Sequence, residues 1–175
     1  MAYIPYIPLV PNDEELDIAA RLLGRALLKR GWQMASAESC TGGLVGHVIT
    51  QVPGSSDHYL GGIVSYSDAV KQELLDVPGD LIERVGAVSS EVAEAMTTGA
   101  LARFPVAHLA LAVTGIAGPD GGSAEKPVGL TYVAAALRGG TAVVERHTWP
   151  HDRDGNKRAS ALAALALATR LASER

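Results

Sequence analysis

The sequence predicts an α/β layered domain with a mixed sheet, on three observations. Segments with helical periodicity alternate with short apolar runs of strand length. One run, "AHLALAVTG", is apolar without alternation, as in a strand covered by helices on both faces. Two further runs, "VGLTYVAAAL" and "TAVVERHTW", flank "RGG" and read as a hairpin, which brings antiparallel pairing into an otherwise alternating order.

Residues 1–11 carry three prolines and two tyrosines and read as an extended tail, lying against the domain or a partner subunit. One domain is expected over residues 12–175, with no repeat and no dividing linker. It begins with a helix in "PNDEELDIAARLLGRALLKRG". Asn12 or Asp13 can cap it, acids fill its first turn, bases its last, and Gly31 ends it. Leu16, Ala19, Ala20, Leu23, Ala26 and Leu27 make its apolar face. "WQMASA" is a short strand, "GGLVGHVITQV" a short helix stopped by "PGSS", "HYLGGIVSYS" a strand and "DAVKQELL" a helix. "VPGDLIERVGA" reads as a helical turn with loops, and "SSEVAEAMTTGALARF" as a helix capped by Ser89 or Ser90. After the buried strand comes the long loop "IAGPDGGSAEKP", then the hairpin, then the alanine-rich helix of "DGNKRASALAALALATRLASER".

Composition narrows the function classes. A chain of 175 residues with 47% hydrophobic and 19% charged residues suits one globular core. Scarce aromatics and abundant alanine point to closely packed helices. The net charge of −4 argues against broad nucleic-acid binding, although a basic patch could be local. One cysteine excludes an internal disulfide and a multi-cysteine metal site. The start lacks the basic and apolar regions of a signal peptide, and no apolar run approaches the ~20 residues of a membrane span. A cytoplasmic protein without membrane association is expected.

Three segments carry residues suited to chemistry. In "SAESCTGGLVGHV", Ser39 stands at a strand end before a helix, where free amides can stabilise an oxyanion or hold a phosphate. Ser39 or Thr41 could equally cap that helix. Cys40 is a rival nucleophile by chemistry, although a lone buried cysteine is usually inert packing. In "GGIVSYSDAVKQELL", Lys71 lies about one turn inside a helix. Desolvated beside a serine it would serve as a general base, with Tyr66 orienting it; otherwise Lys71 is a solvated helix residue and Tyr66 core. The loop "TGIAGPDGGSAEKPVG" follows a buried strand, where ligands of α/β folds sit, and its glycines permit close approach. It is neither a Walker A loop, since Glu125 precedes the lysine, nor a GxGxxG fingerprint. His47, His58, His108, His147 and His151 form no metal motif, and Pro150 disfavours a helix joining the last two. Arg153, Lys157 and Arg158 form a basic turn that either grips a phosphate or is solvated.

Taken together, "AESCTGGL", "VPGSS", "SYSDAVKQELL", "GAVSSEVAEAM", "GALAR" and "AVTGIAGPDGGSAEKPVGLTYV", in this order over roughly residues 12–170, resemble the CinA C-terminal domain family in its stand-alone form. "ESCTGG" alone is weak; its combination with the glycine-rich loop is specific. The resemblance implies a three-layer α/β/α sandwich with a mixed sheet, like anticodon-binding domains. It implies an amidohydrolase that converts nicotinamide mononucleotide to nicotinate mononucleotide and ammonia, in pyridine nucleotide recycling. No metal or cofactor is expected, and a homodimer or higher oligomer is. By the same resemblance Ser39 is the nucleophile and Lys71 its basic partner, with Tyr66 as the matching tyrosine. Cys40, Thr41, Gly42, Gly43, Thr114, Gly115 and Gly118 become substrate-side candidates, with Arg153, Lys157 and Arg158 for the phosphate. The alternative is a nucleotide-binding or interaction module of the competence- or damage-inducible kind, without turnover. Two departures stand out. Asp68 replaces the asparagine of the family's "Y-S-N", and Lys157 falls where the second arginine of "GDR…R" belongs, with Arg158 one residue late.

Overall fold

The protein, described over residues 9–174 as a computed structural model, forms five strands and six α-helices. Helix α1 spans Asp13–Arg30 and starts from a capping box: the Asn12 side chain accepts from the Glu15 amide while Glu15 accepts from the Asn12 amide. Asn12, not Asp13, is therefore the cap, and Gly31 closes the helix in the left-handed region. Strand β1 (Met34–Glu38), helix α2 (Leu44–Gln51), strand β2 (Tyr59–Val64) and helix α3 (Asp68–Leu75) follow. The segment expected as a turn with loops is instead a seven-residue helix, α4 (Gly79–Val85), anchored by Ile82 in the core. Helix α5 (Ser90–Arg103) is capped by the Ser89 side chain. Strands β3 (Leu109–Gly115), β4 (Leu130–Leu137) and β5 (Val143–Thr148) lead to helix α6 (Arg153–Ser173). Of the expected tail, Leu9 and Val10 are exposed and residues 1–8 lie outside the described residues. Among the described residues no helix is long and apolar enough to cross a membrane.

The strands run in the order β2-β1-β3-β4-β5. β1 pairs parallel with β2 and with β3, while β3–β4 and β4–β5 are antiparallel, which makes the sheet mixed. Side chains alternate across β3: Leu109, Leu111 and Val113 face the core shared with α1, α2 and α6, whereas Ala110 and Ala112 face α5. The fold is thus a three-layer α/β/α sandwich.

Two consequences place the site. The parallel strands β1, β2 and β3 all end at one end of the sheet, which brings together the residues at or just past their ends: Ser39, Ser65–Tyr66 and Thr114–Gly115. Helix α3 is drawn against α5 because Gly99 has no side chain; a Cβ there would collide with the Leu75 backbone carbonyl. That contact is to backbone and cannot swing aside. In Gly99→Ala the gain of about 1 kcal/mol in helix propensity is outweighed by overpacking, typically about 1–3 kcal/mol. We expect Gly99→Ala to lower the urea midpoint; a midpoint at or above the parent's would show that α3 is not seated by this contact.

Candidate active site

Strand β1 hands over to α2 through an elbow held from both sides. The Ser39 amide donates to the Val113 carbonyl at 2.9 Å and the Ser65 amide donates to the Glu38 carbonyl at 2.8 Å, so the ladders continue one step past the strand ends. The chain then reverses at Gly42 and Gly43, with φ of +63° and +96°, a region that side chains disfavour. Gly43 is the N-cap of α2 and supplies no side-chain acceptor, nor does the first turn hold an acid. Glu38, 2% exposed, takes that role from the strand. Its Oε2 accepts from Thr41 Oγ1 (2.7 Å) and the amides of Gly43 and Val45 (3.0 Å each), and its Oε1 accepts from the Gly46 amide (2.8 Å). Neither Ser39 nor Thr41 caps α2.

This corrects one expectation. The amide of Gly43 is committed to Glu38, and that of Gly42 donates to the Ser39 carbonyl at 3.0 Å, so neither is free to hold an oxyanion. No backbone carbonyl among the described residues accepts from the amides of Cys40 and Thr41. Thr41 is itself fully buried, with its hydroxyl spent on Glu38.

Lys71 is 1% exposed, which removes the reading as a solvated helix residue. Nζ donates to Ser39 Oγ at 3.2 Å, to the Ser65 carbonyl at 3.0 Å and to the Tyr66 carbonyl at 3.2 Å, with Asp68 Oδ1 at 3.7 Å. The fold thus joins two residues 32 positions apart. Burial pushes the Lys71 ammonium down from its ordinary 10.5, and Asp68, Cys40 and Tyr66 pull it back in part. Cys40 lies beside the pair, but burial pushes its thiol up to about 12, so it supplies no thiolate at neutral pH.

These groups open into a cavity of about 270 Å³ lined also by Thr114, Gly115, Gly118, Asp120 and Arg153. A larger depression of about 540 Å³ between α1 and α6 is lined mainly by apolar side chains such as Ile18, Leu22 and Leu162, and contains no such pair. The cavity walls are tied down by side chains. Thr114 Oγ1 donates to the Ala87 carbonyl (2.8 Å), and Lys126 Nζ donates to the carbonyls of Val85 (2.6 Å) and Val88 (2.8 Å), which fastens the glycine-rich loop to the α4–α5 connection. Asn156 Nδ2 donates to the Ala117 carbonyl at 3.0 Å and Arg153 Nη1 to the Gly118 carbonyl at 2.6 Å, fastening the same loop to α6.

Other sequence candidates land elsewhere. Tyr66 is 59% exposed rather than core. Its carbonyl, not its hydroxyl, meets Lys71, and the hydroxyl accepts from Arg153 Nη2 at 3.1 Å. Lys157 is outside the cavity lining and sits by the elbow, its Nζ 3.9 Å from where a Cβ on Gly42 would lie. Arg158 is withdrawn as a phosphate ligand. It pairs with Asp13 of α1 at 2.6 Å and with Asp154 at 2.8 Å, because its position on α6 faces α1. Sequence reasoning missed Glu38 and Lys126. The signal for Glu38 was a helix starting on two glycines with no acid of its own, one step after a strand-end carboxylate.

Residues 17–172 match the family model described as the CinA C-terminal domain. Over 120 residues the chain is 54% identical to a CinA-like protein of Desulfotalea psychrophila, covering 69% of this chain, and over 143 residues 51% identical to one of Geotalea uraniireducens, covering 82%. It spans only 29% and 33% of the length of those two relatives. Among solved structures, the competence/damage inducible protein CihA from Agrobacterium tumefaciens superposes with a TM-score of 0.83 at 37% identity, over 91% of this chain and 96% of that one. The competence damage-inducible protein A from Klebsiella pneumoniae subsp. pneumoniae gives 0.86 at 32% identity, over 91% and 99%.

The elbow's dependence on Glu38 is open to test. Glu38→Ala strands three amides and a hydroxyl in the interior, at a cost of about 3 kcal/mol or more. Glu38→Gln keeps one acceptor oxygen and should lose less, roughly 1–2 kcal/mol. Urea unfolding of both variants checks this ranking, and an alanine variant within about 0.5 kcal/mol of the parent, the range of ordinary surface substitutions, would contradict it.

Proposed function

The chain belongs to the CinA C-terminal domain family, and from that premise and the Ser39–Lys71 geometry we propose that it is an amidohydrolase that deamidates nicotinamide mononucleotide to nicotinate mononucleotide and ammonia. The observation that carries this reading is the set of three acceptors around Lys71 Nζ. A neutral amine has two N–H bonds and one lone pair. With the N–H bonds kept by the carbonyls of Ser65 and Tyr66, the lone pair is left for the Ser39 hydroxyl, 3.2 Å away.

In the first half-reaction Ser39 passes its proton to Lys71 as Oγ bonds to the carboxamide carbon. The carbonyl electrons move onto oxygen, where the Cys40 amide is the nearest donor in the chain not held by a backbone carbonyl among the described residues. The tetrahedral species collapses, the C–N bond breaks, and the Lys71 ammonium returns its proton to the departing nitrogen as ammonia. Water then attacks the ester and gives one proton to Lys71; the acyl–Ser39 bond breaks, Lys71 re-protonates Ser39, and the freed acid releases its remaining proton to solvent as the carboxylate. The glycine-rich loop and Arg153 take the ribose and 5′-phosphate. Arg153 spends two of its five donors on Gly118 and Tyr66, so three remain. We extend the proposal to assembly as a homo-oligomer.

Ammonia release from nicotinamide mononucleotide tests the reading. The parent protein is expected to turn over, Ser39→Ala and Lys71→Ala to lose about a thousandfold or more, and Cys40→Ala to stay within the parent's order of magnitude. Tight binding of the nucleotide by folded parent protein without ammonia would replace the enzyme by a binding module. Full activity in Ser39→Ala would discard the serine mechanism.

A further inference from the structure

Asp68 stands where the Lys71 base can feel it and where a ligand can reach it. It occupies the first turn of α3, one residue past the Ser67 cap and three before Lys71, so both side chains lie on one face of the helix. Lys71 is buried; Asp68 is 56% exposed and lines the cavity. We propose that Asp68 is a positioning residue that governs the readiness of Lys71 to act as base, through the 3.7 Å ion pair across the first turn of α3. This rests on the reading of Lys71 as the base of a deamidation.

The surroundings of Nζ make Asp68 the decisive charge. Its hydrogen-bond partners are two carbonyls and one hydroxyl, all neutral. The other titratable or charged groups around it are the Cys40 thiol from the elbow, the Tyr66 hydroxyl, which faces Arg153, and Asp120 and Arg153 across the cavity. Among the described residues, Asp68 is the one carboxylate paired with the lysine. Burial favours the neutral amine, and the Asp68 carboxylate opposes that by favouring the ammonium.

Substrate reverses the balance. A pyridinium ring is a cation, and beside Ser39 it enters next to Asp68. It takes the carboxylate as its own partner and adds a like charge near Nζ, and both changes favour departure of the lysine's proton to solvent. The resulting amine then accepts the Ser39 proton. Asp68 thereby keeps the base charged until a cationic amide arrives. An asparagine in its place would leave Lys71 neutral over a wider pH range, at the expense of this discrimination.

The sign follows from the pairing. A general base must be neutral, so the rate rises with pH through the lysine's titration, and removing the carboxylate's charge moves that limb to lower pH. The experiment uses the 175-residue chain carrying 13C-labelled lysine, with the Lys71 ε-carbon resonance assigned by its loss in Lys71→Met. It compares the parent, Asp68→Asn and Asp68→Glu. We expect Asp68→Asn to move the Lys71 midpoint down, to move the acid limb of ammonia release with it, and to narrow the gap between the limbs of kcat/KM and kcat. Asp68→Glu, which keeps the charge, should stay near the parent. An unmoved Lys71 midpoint in Asp68→Asn overturns the proposal, and so does a moved midpoint with an unmoved limb. A moved midpoint in a protein that releases no ammonia supports the pairing and overturns the deamidase reading instead.

Discussion

The structure turns on one buried carboxylate. Strand β1 has to stop, reverse and start a helix within the five residues Ser39–Gly43, and the helix it starts has no cap of its own. Glu38 resolves both problems, because the strand's last side chain collects the amides of the helix's first turn. The desolvation of a buried anion is offset by four donors and by the positive potential of a helix N-terminus. Since Glu38 immediately precedes Ser39, that serine is placed by the same contacts that begin α2. A helix start left open would be an anion site. Here the anion is already built in, and the donors of this helix start are spent on it.

The two buried charges of this region are treated in opposite ways. Glu38 is surrounded by donors that suit a carboxylate, whereas the hydrogen-bond acceptors of Lys71 are carbonyl and hydroxyl oxygens and its one paired carboxylate, Asp68, stands off at 3.7 Å. Neutral acceptors orient an ammonium but do not compensate its charge as a carboxylate would. Such a lysine can lose its proton without losing its place, because the two carbonyls continue to hold the amine. Rigidity and proton exchange are thereby assigned to different residues.

Much of this was legible in the sequence because it depends on neighbours in the chain. The helix starts at Asn12 or Asp13 and at Ser89 or Ser90, the non-alternating strand β3 and the hairpin around "RGG" are local patterns, and each element formed where its pattern stood, the structure choosing Asn12 and Ser89 as the caps. The residues misread are those whose partner is distant. In the sequence Arg158 shares with Arg153 a basic turn that either grips a phosphate or is solvated; one position along a helix turns a side chain by about 100°, and that faces Arg158 to Asp13 on α1. Lys126 was read only against a Walker loop, while its partners, Val85 and Val88, lie about forty positions away. Nothing local to α4 distinguished a helix of seven residues from a turn, because what holds it is Ile82 in the core.

The alanine-rich composition also bears on the site, through distance. Toward α5 the central strands present mainly alanines, Ala37 of β1, Ala110 and Ala112 of β3 and Ala134 of β4, beside a half-buried Tyr132, and α5 packs on them with Val92, Ala93, Met96 and Ala100. The small residues of the sheet let the helix lie close to it. The next contact outward is closer still, Gly99 against the backbone of Leu75 on α3. Larger residues in either layer would move α3 away from the strand ends, and with it Lys71, one turn before Leu75. A hydrogen bond of 3.2 Å to Ser39 has little slack, since beyond about 3.5 Å the interaction ceases to be one. The small side chains between α5 and the sheet therefore set the reach of the lysine as directly as do the residues that touch it.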